Sequence, residues 1–491
     1  MRTTTAAAGA EIRGRLAHPV IDADGHTIES MPVVFDYMRD VGGAKFLDHY
    51  KKWGGGSVFN GPLHKVIGPH GWYDLSPEER RSKRVTRAGF WGLPTVNTRD
   101  RAAVMAPKLF RERLDELGID FAVVYGTLPL SLTRTDDEEI RRVGCRAVNK
   151  MYADMFGPHS DRMTVPAAIP MYTPQEAIEE LEYVVQELGL KAVMVGNFVR
   201  RQVDHVAREH PEAAPYAVWA DQLAMDSAYD YDPFWKRCVE LKVVPAAHAG
   251  SNGFGTRASV ENWVYNHVGH FAAAGEAFCK ALVLGGVTHR FPTLRFAFLE
   301  GGVAWACNLY NDLIAHWETR NVESMLRYLD PNKLNGKELA RYLGEYGGKQ
   351  FAPHLKQIAN APPPDTSREG GFADDWPASG IRDAREVPEI FSRFFFGCEA
   401  EDRMTAVAFN PKINHFGAKI QAMFSSDVGH FDVRDISTVL VEAYELVEDG
   451  LLSESDFRDF TFANVATMYR TANPDFFQGT VVEEAVRETL P

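Results

Sequence analysis

Pro19-Val20-Ile21-Asp22-Ala23-Asp24-Gly25-His26 begins as an apolar run and ends in a cluster of polar side chains. It reads as a strand, Pro19 to Ala23, whose C-terminal end carries Asp24-Gly25-His26. The same construction recurs along the chain at Phe121 to Tyr125, Thr164 to Ile169, Ala192 to Val195, Val243 to Ala247, Arg295 to Leu299, Phe394 to Phe396 and Ala422 to Phe424. These runs are mostly continuous in apolar residues rather than alternating, the pattern of a parallel sheet covered on both faces. Helical patterns, such as Leu109 to Leu117 and Pro174 to Leu188, lie between them. Eight such strands predict an α/β protein, a (β/α)8 TIM barrel rather than an open doubly wound sheet. No G-x-G-x-x-G follows a strand, which removes the main support for a dinucleotide fold.

One barrel domain is expected across 1–491, with insertions at approximately 31–100, 198–231 and 321–386 forming a cap over the C-terminal face. The first holds Trp53, Gly54, Gly55, Gly56, Phe59, Trp72, Tyr73, Phe90 and Trp91; the last holds Pro362-Pro363-Pro364 and Gly370-Gly371. At 45% hydrophobic residues the chain has ample material for a packed core. A formal net charge of −14 leaves no basic footprint for nucleic acid or anionic lipid. The basic stretch from Arg80 to Arg87 is short and reads as a solvated charged segment. No run approaches the roughly 18 apolar residues of a membrane span, and the N-terminus has no apolar core of a secretory signal. Cys145, Cys238, Cys279, Cys307 and Cys398 are dispersed without a C-x-x-C pair, which suits reduced, buried thiols in a cytoplasmic protein.

The chemistry gathers where strands end. Residues two apart on a strand share a face, so Asp24 and His26 point together into the barrel mouth, with Asp22 lower on the same side. The fifth strand ends Ala247-His248-Ala249-Gly250, the sixth Leu299-Glu300-Gly301-Gly302, and the eighth Ser425-Ser426-Asp427-Val428-Gly429-His430. A barrel brings such ends to one face. Inward-facing carboxylates and imidazoles are costly to bury unless paired or bound to a cation. A divalent ion satisfies them, and nitrogen and oxygen ligands suit zinc first, with manganese or iron as alternatives. Taken singly, His248 reads as a hydrogen-bonded core histidine and Asp427 as a helix N-cap. It is the conjunction of strand ends that points to metal. His267 and His270, read as an i, i+3 pair on a helix after the fifth strand, could face a second metal or the substrate, or simply pack an interface. Arg200 and Arg201, beyond the fourth strand, could hold a substrate carboxylate or phosphate, though surface arginines are the ordinary reading.

The chain resembles the amidohydrolase superfamily, in particular the amidohydrolase-2 group that includes aminocarboxymuconate-semialdehyde decarboxylase and γ-resorcylate decarboxylase. The resemblance rests on Val20 to His26, on Phe291-Pro292-Thr293-Leu294-Arg295-Phe296-Ala297-Phe298-Leu299-Glu300-Gly301-Gly302, on Ser425 to His430, and on the closing Asn464-Val465-Ala466-Thr467-Met468-Tyr469. It implies Asp24, His26, His248 and Asp427 as metal ligands, Asp427 also handling the proton, and His430 orienting Asp427 or the substrate. It also implies a homodimer or larger assembly. Glu300 departs from the pattern, because those decarboxylases generally carry histidine there. A carboxylate with an ordinary pKa is ionised near neutral pH and cannot replace that imidazole; Glu300 could instead bind metal or take a proton from water.

The leading expectation is therefore a metal-dependent hydrolase acting on a small molecule. Metal-activated water would attack the carbonyl of an amide, an ester or thioester, or a ketone beside a C–C bond, in a sizeable, possibly aromatic substrate. Asp427 would act as general base and then acid. The alternative is a metal-dependent non-oxidative decarboxylase of an aromatic or enoic acid. A third reading is an inactive barrel that binds a ligand. One or two metal ions per chain fit these residues.

Overall fold

The computed structural model describes residues 8–53, 72, 75–87, 97–363 and 374–489. Eight parallel strands form the barrel: β1 (Ile21–Thr27), β2 (Phe121–Gly126), β3 in two pieces (Met163–Thr164 and Ala167–Ala168), β4 (Val193–Val195), β5 (Pro245–Ala247), β6 (Phe296–Phe298), β7 (Phe394–Cys398) and β8 (Gln421–Phe424). Neighbours in sequence are neighbours in space, from β1 against β2 to β7 against β8. Val165-Pro166 splits β3, so its first piece pairs with β2 and its second with β4. A proline has no N–H to give the ladder. The ring closes just beyond β8, where the Asp427 amide donates to Asp24 O at 2.8 Å and the His26 amide to Val428 O at 2.6 Å.

The apolar runs became strands buried at all but Thr164 and Gln421, because helices cover the outside and side chains fill the inside. β7 shows the packing: Phe394 meets Phe296 and Phe298 of β6 edge-on, at 6.1 and 5.7 Å, and Phe396 stacks on Phe298 at 5.5 Å. Such pairs add about 0.5–1.5 kcal/mol each beyond burial. All five cysteines are buried and free. Among the described residues no helix is long and apolar enough to cross a membrane.

The first insertion opens with the helix Met31–Trp53, which breaks at Gly43. Residues from its later part dock on the loop after β5: Trp72 Nε1 donates to Val260 O at 2.8 Å, the Arg87 amide to Ser259 O at 2.9 Å, and Arg81 pairs with Glu261. Gly54, Gly55, Gly56, Phe59, Tyr73, Phe90 and Trp91 lie outside the described residues, as do Pro364, Gly370 and Gly371. The second insertion is an antiparallel hairpin, Val199–Gln202 against Val218–Asp221, directly after β4. These two stand at the C-terminal ends of the strands. The 321–386 insertion departs from the far end of the helix Ala304–Arg320, where Trp317 meets Trp376 at 5.1 Å. It therefore leaves the barrel beyond a helix, whereas the other two insertions leave it directly from a strand end.

Candidate metal centre

The strand ends place Asp24, His26, His248, Glu300, Asp427 and His430 in one buried cluster. On β1 the pairing with β2 shifts register between Asp22 and Gly25, just below the polar residues. Asp22 belongs to neither set of ligand atoms and ties β1 to the turn after β8: its Oδ1 accepts from the Ser426 amide at 2.9 Å and its Oδ2 from Ser426 Oγ at 2.5 Å. Burial nevertheless pushes the Asp22 carboxyl up to about 7. Two of the strand-end acids sit in left-handed backbone, Glu300 at φ 59° and Asp427 at φ 53°. Non-glycine residues adopt this region at a cost, and such strain concentrates at functional sites. Gly429, at φ 110°, follows because a Cβ there would stand 2.5 Å from His26 O.

His26 Nε2 is the centre of the arrangement. It lies 3.4 Å from Asp24 Oδ1, 3.5 Å from Asp427 Oδ1 and 3.2 Å from His248 Nε2. His248 Nε2 in turn lies 3.4 Å from Asp24 Oδ2 and 3.5 Å from Glu300 Oε2. Two sets of ligand atoms within 4.8 Å of one another result, Asp24 with His26 and His248, and His26 with Glu300, Asp427 and His430. Both oxygens of Asp24, Oδ2 of Asp427 and Oε2 of Glu300 are buried without a hydrogen-bond partner. Buried carboxylates are seldom left so, because each unpaired lone pair forfeits its hydration. The donor set fits a divalent cation.

His430 lies over this cluster. Its ring stacks on His26 at 3.6 Å, its Nδ1 is 2.7 Å from Asp427 Oδ1 and 3.8 Å from Glu300 Oε1, and its Nε2 is 3.1 Å from Thr127 Oγ1. Burial alone would lower the His430 pKa, but Asp427 and then Glu300 outweigh it and hold the imidazole well above its usual range. Burial raises Asp427 and Glu300, the former opposed by His430 and the latter reinforced by Asp427. Burial also pushes Asp24 upward, yet His248 and His26 outweigh it and keep its carboxyl well below the usual range.

A cavity of about 460 Å³ opens beside the cluster, lined by His267, His270, Phe271, Glu300, Glu399 and Asp432 among others. Burial, then Asp427 and Glu300, pushes Glu399 up to about 9, and burial with Glu300 pushes Asp432 to about 6. His267 and His270 line this cavity but belong to neither ligand set. Nor do they share a helix: one helix ends at His267, Gly269 turns left-handed at φ 68°, and a second helix begins at His270. The expected i, i+3 geometry is thus broken by Gly269, although the rings still meet at 4.9 Å. Arg200 is exposed on the insertion hairpin. Arg201 faces the other way, buried, with Nε on Asp221 Oδ2 at 2.5 Å and Nη2 on Tyr231 Oη at 3.0 Å. It serves the hairpin's own structure. Thr127, Glu399 and Asp432 escaped sequence reasoning. Thr127 follows β2 by one residue, a strand-end position that offered a signal; Glu399 stands likewise just after β7.

The amidohydrolase family profile matches residues 94–365, more than half of the chain, and the protein belongs to that family. The match takes in His248 and Glu300; Asp24, His26, Asp427 and His430 lie beyond its ends. Solved structures share the fold at low identity. A dihydroxybenzoic acid decarboxylase from Polaromonas sp. JS666, with manganese and the inhibitor 2-nitroresorcinol bound, is 14% identical, covers 94% of this chain and 99% of its own, and has a TM-score of 0.50. IDCase from Metarhizium anisopliae is 11% identical over 92% of this chain and 97% of its own, with a TM-score of 0.52. An amidohydrolase from Mycobacterium avium subsp. paratuberculosis K-10 is 16% identical over 92% of this chain and 100% of its own, with a TM-score of 0.51.

Proposed function

We propose that the protein is a metal-dependent carboxy-lyase that removes a carboxylate non-oxidatively from an aromatic or enoic acid. The observation that carries this reading is the pairing of a cation-binding cluster with an adjacent imidazole acid, His430, held 2.7 Å from Asp427. Decarboxylation needs both elements: something to fix the anionic substrate, and a proton for the carbon that loses CO2. The decarboxylase in the fold comparison, with its bound manganese, supports the same choice.

Asp24, His26, His248 and Asp427 would hold one divalent cation. The two ligand sets converge on His26 Nε2, and one imidazole nitrogen has a single lone pair to share. When bound, the metal supplies a Lewis-acidic anchor for substrate oxygens. Asp427 orients His430 and keeps it protonated; His430 delivers the proton to the carbanionic carbon, and Thr127 fixes the far side of its ring.

Hydrolysis is the second reading, and Glu300 favours it. Its side chain is only 8% exposed, one oxygen has no partner, and a carboxylate there could take a proton from water. The two readings separate in one experiment. Protein loaded with manganese or zinc is incubated with benzoic and enoic acids carrying an oxygen substituent next to the carboxylate, and with matching amides and esters. CO2 release that persists in Glu300→Gln and rises in Glu300→His supports decarboxylation. Ester or amide cleavage that Glu300→Gln abolishes while metal is kept supports hydrolysis.

A further inference from the structure

The two sides of the barrel mouth differ in charge. Glu399, Glu401, Asp402 and Asp432 line the cavity beside β6 to β8. On the β2-to-β5 side, three arginines gather instead. Arg134, after β2, donates from Nη1 to Gly250 O at 2.8 Å. Arg200 follows Phe198, whose ring meets Phe254 at 5.6 Å, and Arg257 lies in the same loop as Phe254, its carbonyl accepting from the Gly253 amide at 2.8 Å. Burial, then Arg200, lowers the Arg134 pKa, so the two guanidinium groups are close enough to repel. None of the three makes an ion pair among the described residues, and Arg257 Nε is buried without a hydrogen-bond acceptor.

His270 stands among them. It is 8% exposed, and neither ring nitrogen has a hydrogen-bond partner. Its ring occupies the space beside Gly250, where an added Cβ would fall 1.7 Å from Nδ1. Burial, then His267, Arg134 and Arg257, pushes its pKa down to about 3, so it is a neutral imidazole with an N–H to donate. Phe271 separates it from the metal cluster, 4.2 Å from His270 and 5.5 Å from His248 between ring centres.

We propose that Arg134, Arg200, Arg257 and His270 form a subsite for a second anionic oxygen group of the substrate, one aromatic ring away from the metal centre. The substrate class is then a dianion, with one carboxylate at the cation cluster and a carboxylate or phosphoryl group at the arginines. This rests on the proposed function for the first end only. Glu401 and Asp432 on the opposite side of the mouth disfavour the second anionic group there. Guanidinium groups without carboxylate partners suit this role, since charge-assisted, forked hydrogen bonds favour planar or tetrahedral oxyanions.

The test is calorimetric binding of benzoate, isophthalate and 3-phosphonobenzoate to the full chain loaded with manganese. One of the dianions should bind at least about tenfold more tightly than benzoate, the scale of a charge-assisted hydrogen bond. Which one does so tells carboxylate from phosphoryl. Arg134→Gln and Arg257→Gln should each remove most of that preference while leaving benzoate affinity unchanged. Arg200→Gln, on an exposed hairpin position, gives a variant whose folding is not at risk and should weaken the preference in the same direction. Equal binding of all three compounds by the unmodified protein, or a preference that survives all three substitutions, overturns the subsite. If benzoate binds equally with and without manganese while dianion binding still depends on the arginines, the metal reading fails and the subsite stands.

Discussion

Asp427 Oδ1 lies 2.7 Å from Nδ1 of His430, three residues further along the same loop, and the same oxygen lies 3.5 Å from His26 Nε2. One carboxylate thus faces both His26 of the candidate metal centre and the His430 imidazole. Replacing Asp427 by Asn keeps the shape but removes the charge that raises the His430 pKa. Turnover should fall by about 10²–10⁴-fold, the usual range for a lost acid–base group. The ring protons of His430, followed by NMR in the metal-free protein, should titrate at lower pH than in the unmodified chain.

Gly429 joins the two ends of the barrel's closure. Its φ of 110° and the 2.5 Å approach of an added Cβ to His26 O leave alanine no relaxed place. Gly429→Ala should cost about 1–2 kcal/mol from backbone conformation alone, read by urea denaturation. It should also weaken metal binding, because relief of the clash moves His26.

Ser426 holds Asp22 through both its amide and its hydroxyl. In Ser426→Ala one oxygen of a fully buried carboxyl loses its donor. A loss of about 1–3 kcal/mol is expected for the group left unsatisfied, with metal content unchanged. Thermal unfolding beside elemental analysis checks both parts.

Glu399 carries the clearest pH signature. Its pKa rises from 4.5 to about 9, chiefly through burial and then through Asp427 and Glu300. Between these values the folded chain keeps a proton that the unfolded chain has released, so stability falls as pH rises through the window. In metal-free protein Glu399→Gln, which matches the neutral form, should flatten this decline and raise the melting temperature at pH 8 more than at pH 5. An identical pH profile in the two proteins contradicts the assignment.

The barrel was legible because its strands are apolar on both faces, and every predicted strand is present with ends shifted by a few residues. β3 hid its division at Val165-Pro166, since a proline within a run lowers strand pairing without erasing the apolar pattern. The cluster of Asp24, His26, His248, Glu300 and Asp427 was legible because strand ends converge by topology, and chain order alone supplied it. The shared helix expected of His267 and His270 is absent because a 3.6-residue periodicity takes no notice of a left-handed glycine between two helices. Of the two arginines that could hold a substrate anion or simply sit at the surface, strand alternation turned Arg201 toward Asp221 and left Arg200 exposed. Arg134 and Arg257 gave no local signal, because their neighbourhood is made by loops from β2 and β5 that only the closed barrel brings together. Sequence reasoning placed hydrolysis first; the function proposed above is the alternative that the same reasoning kept, and it rests on the closeness of His430 to Asp427.

The most direct test is elemental analysis of the purified chain, offered manganese and zinc in turn, beside Asp24→Asn/His248→Ala. About one tightly held divalent ion per chain is predicted, as expected for a single nitrogen–oxygen ligand set, and its loss in the double variant. A chain that takes up no metal, or a double variant that keeps it in full, contradicts the account.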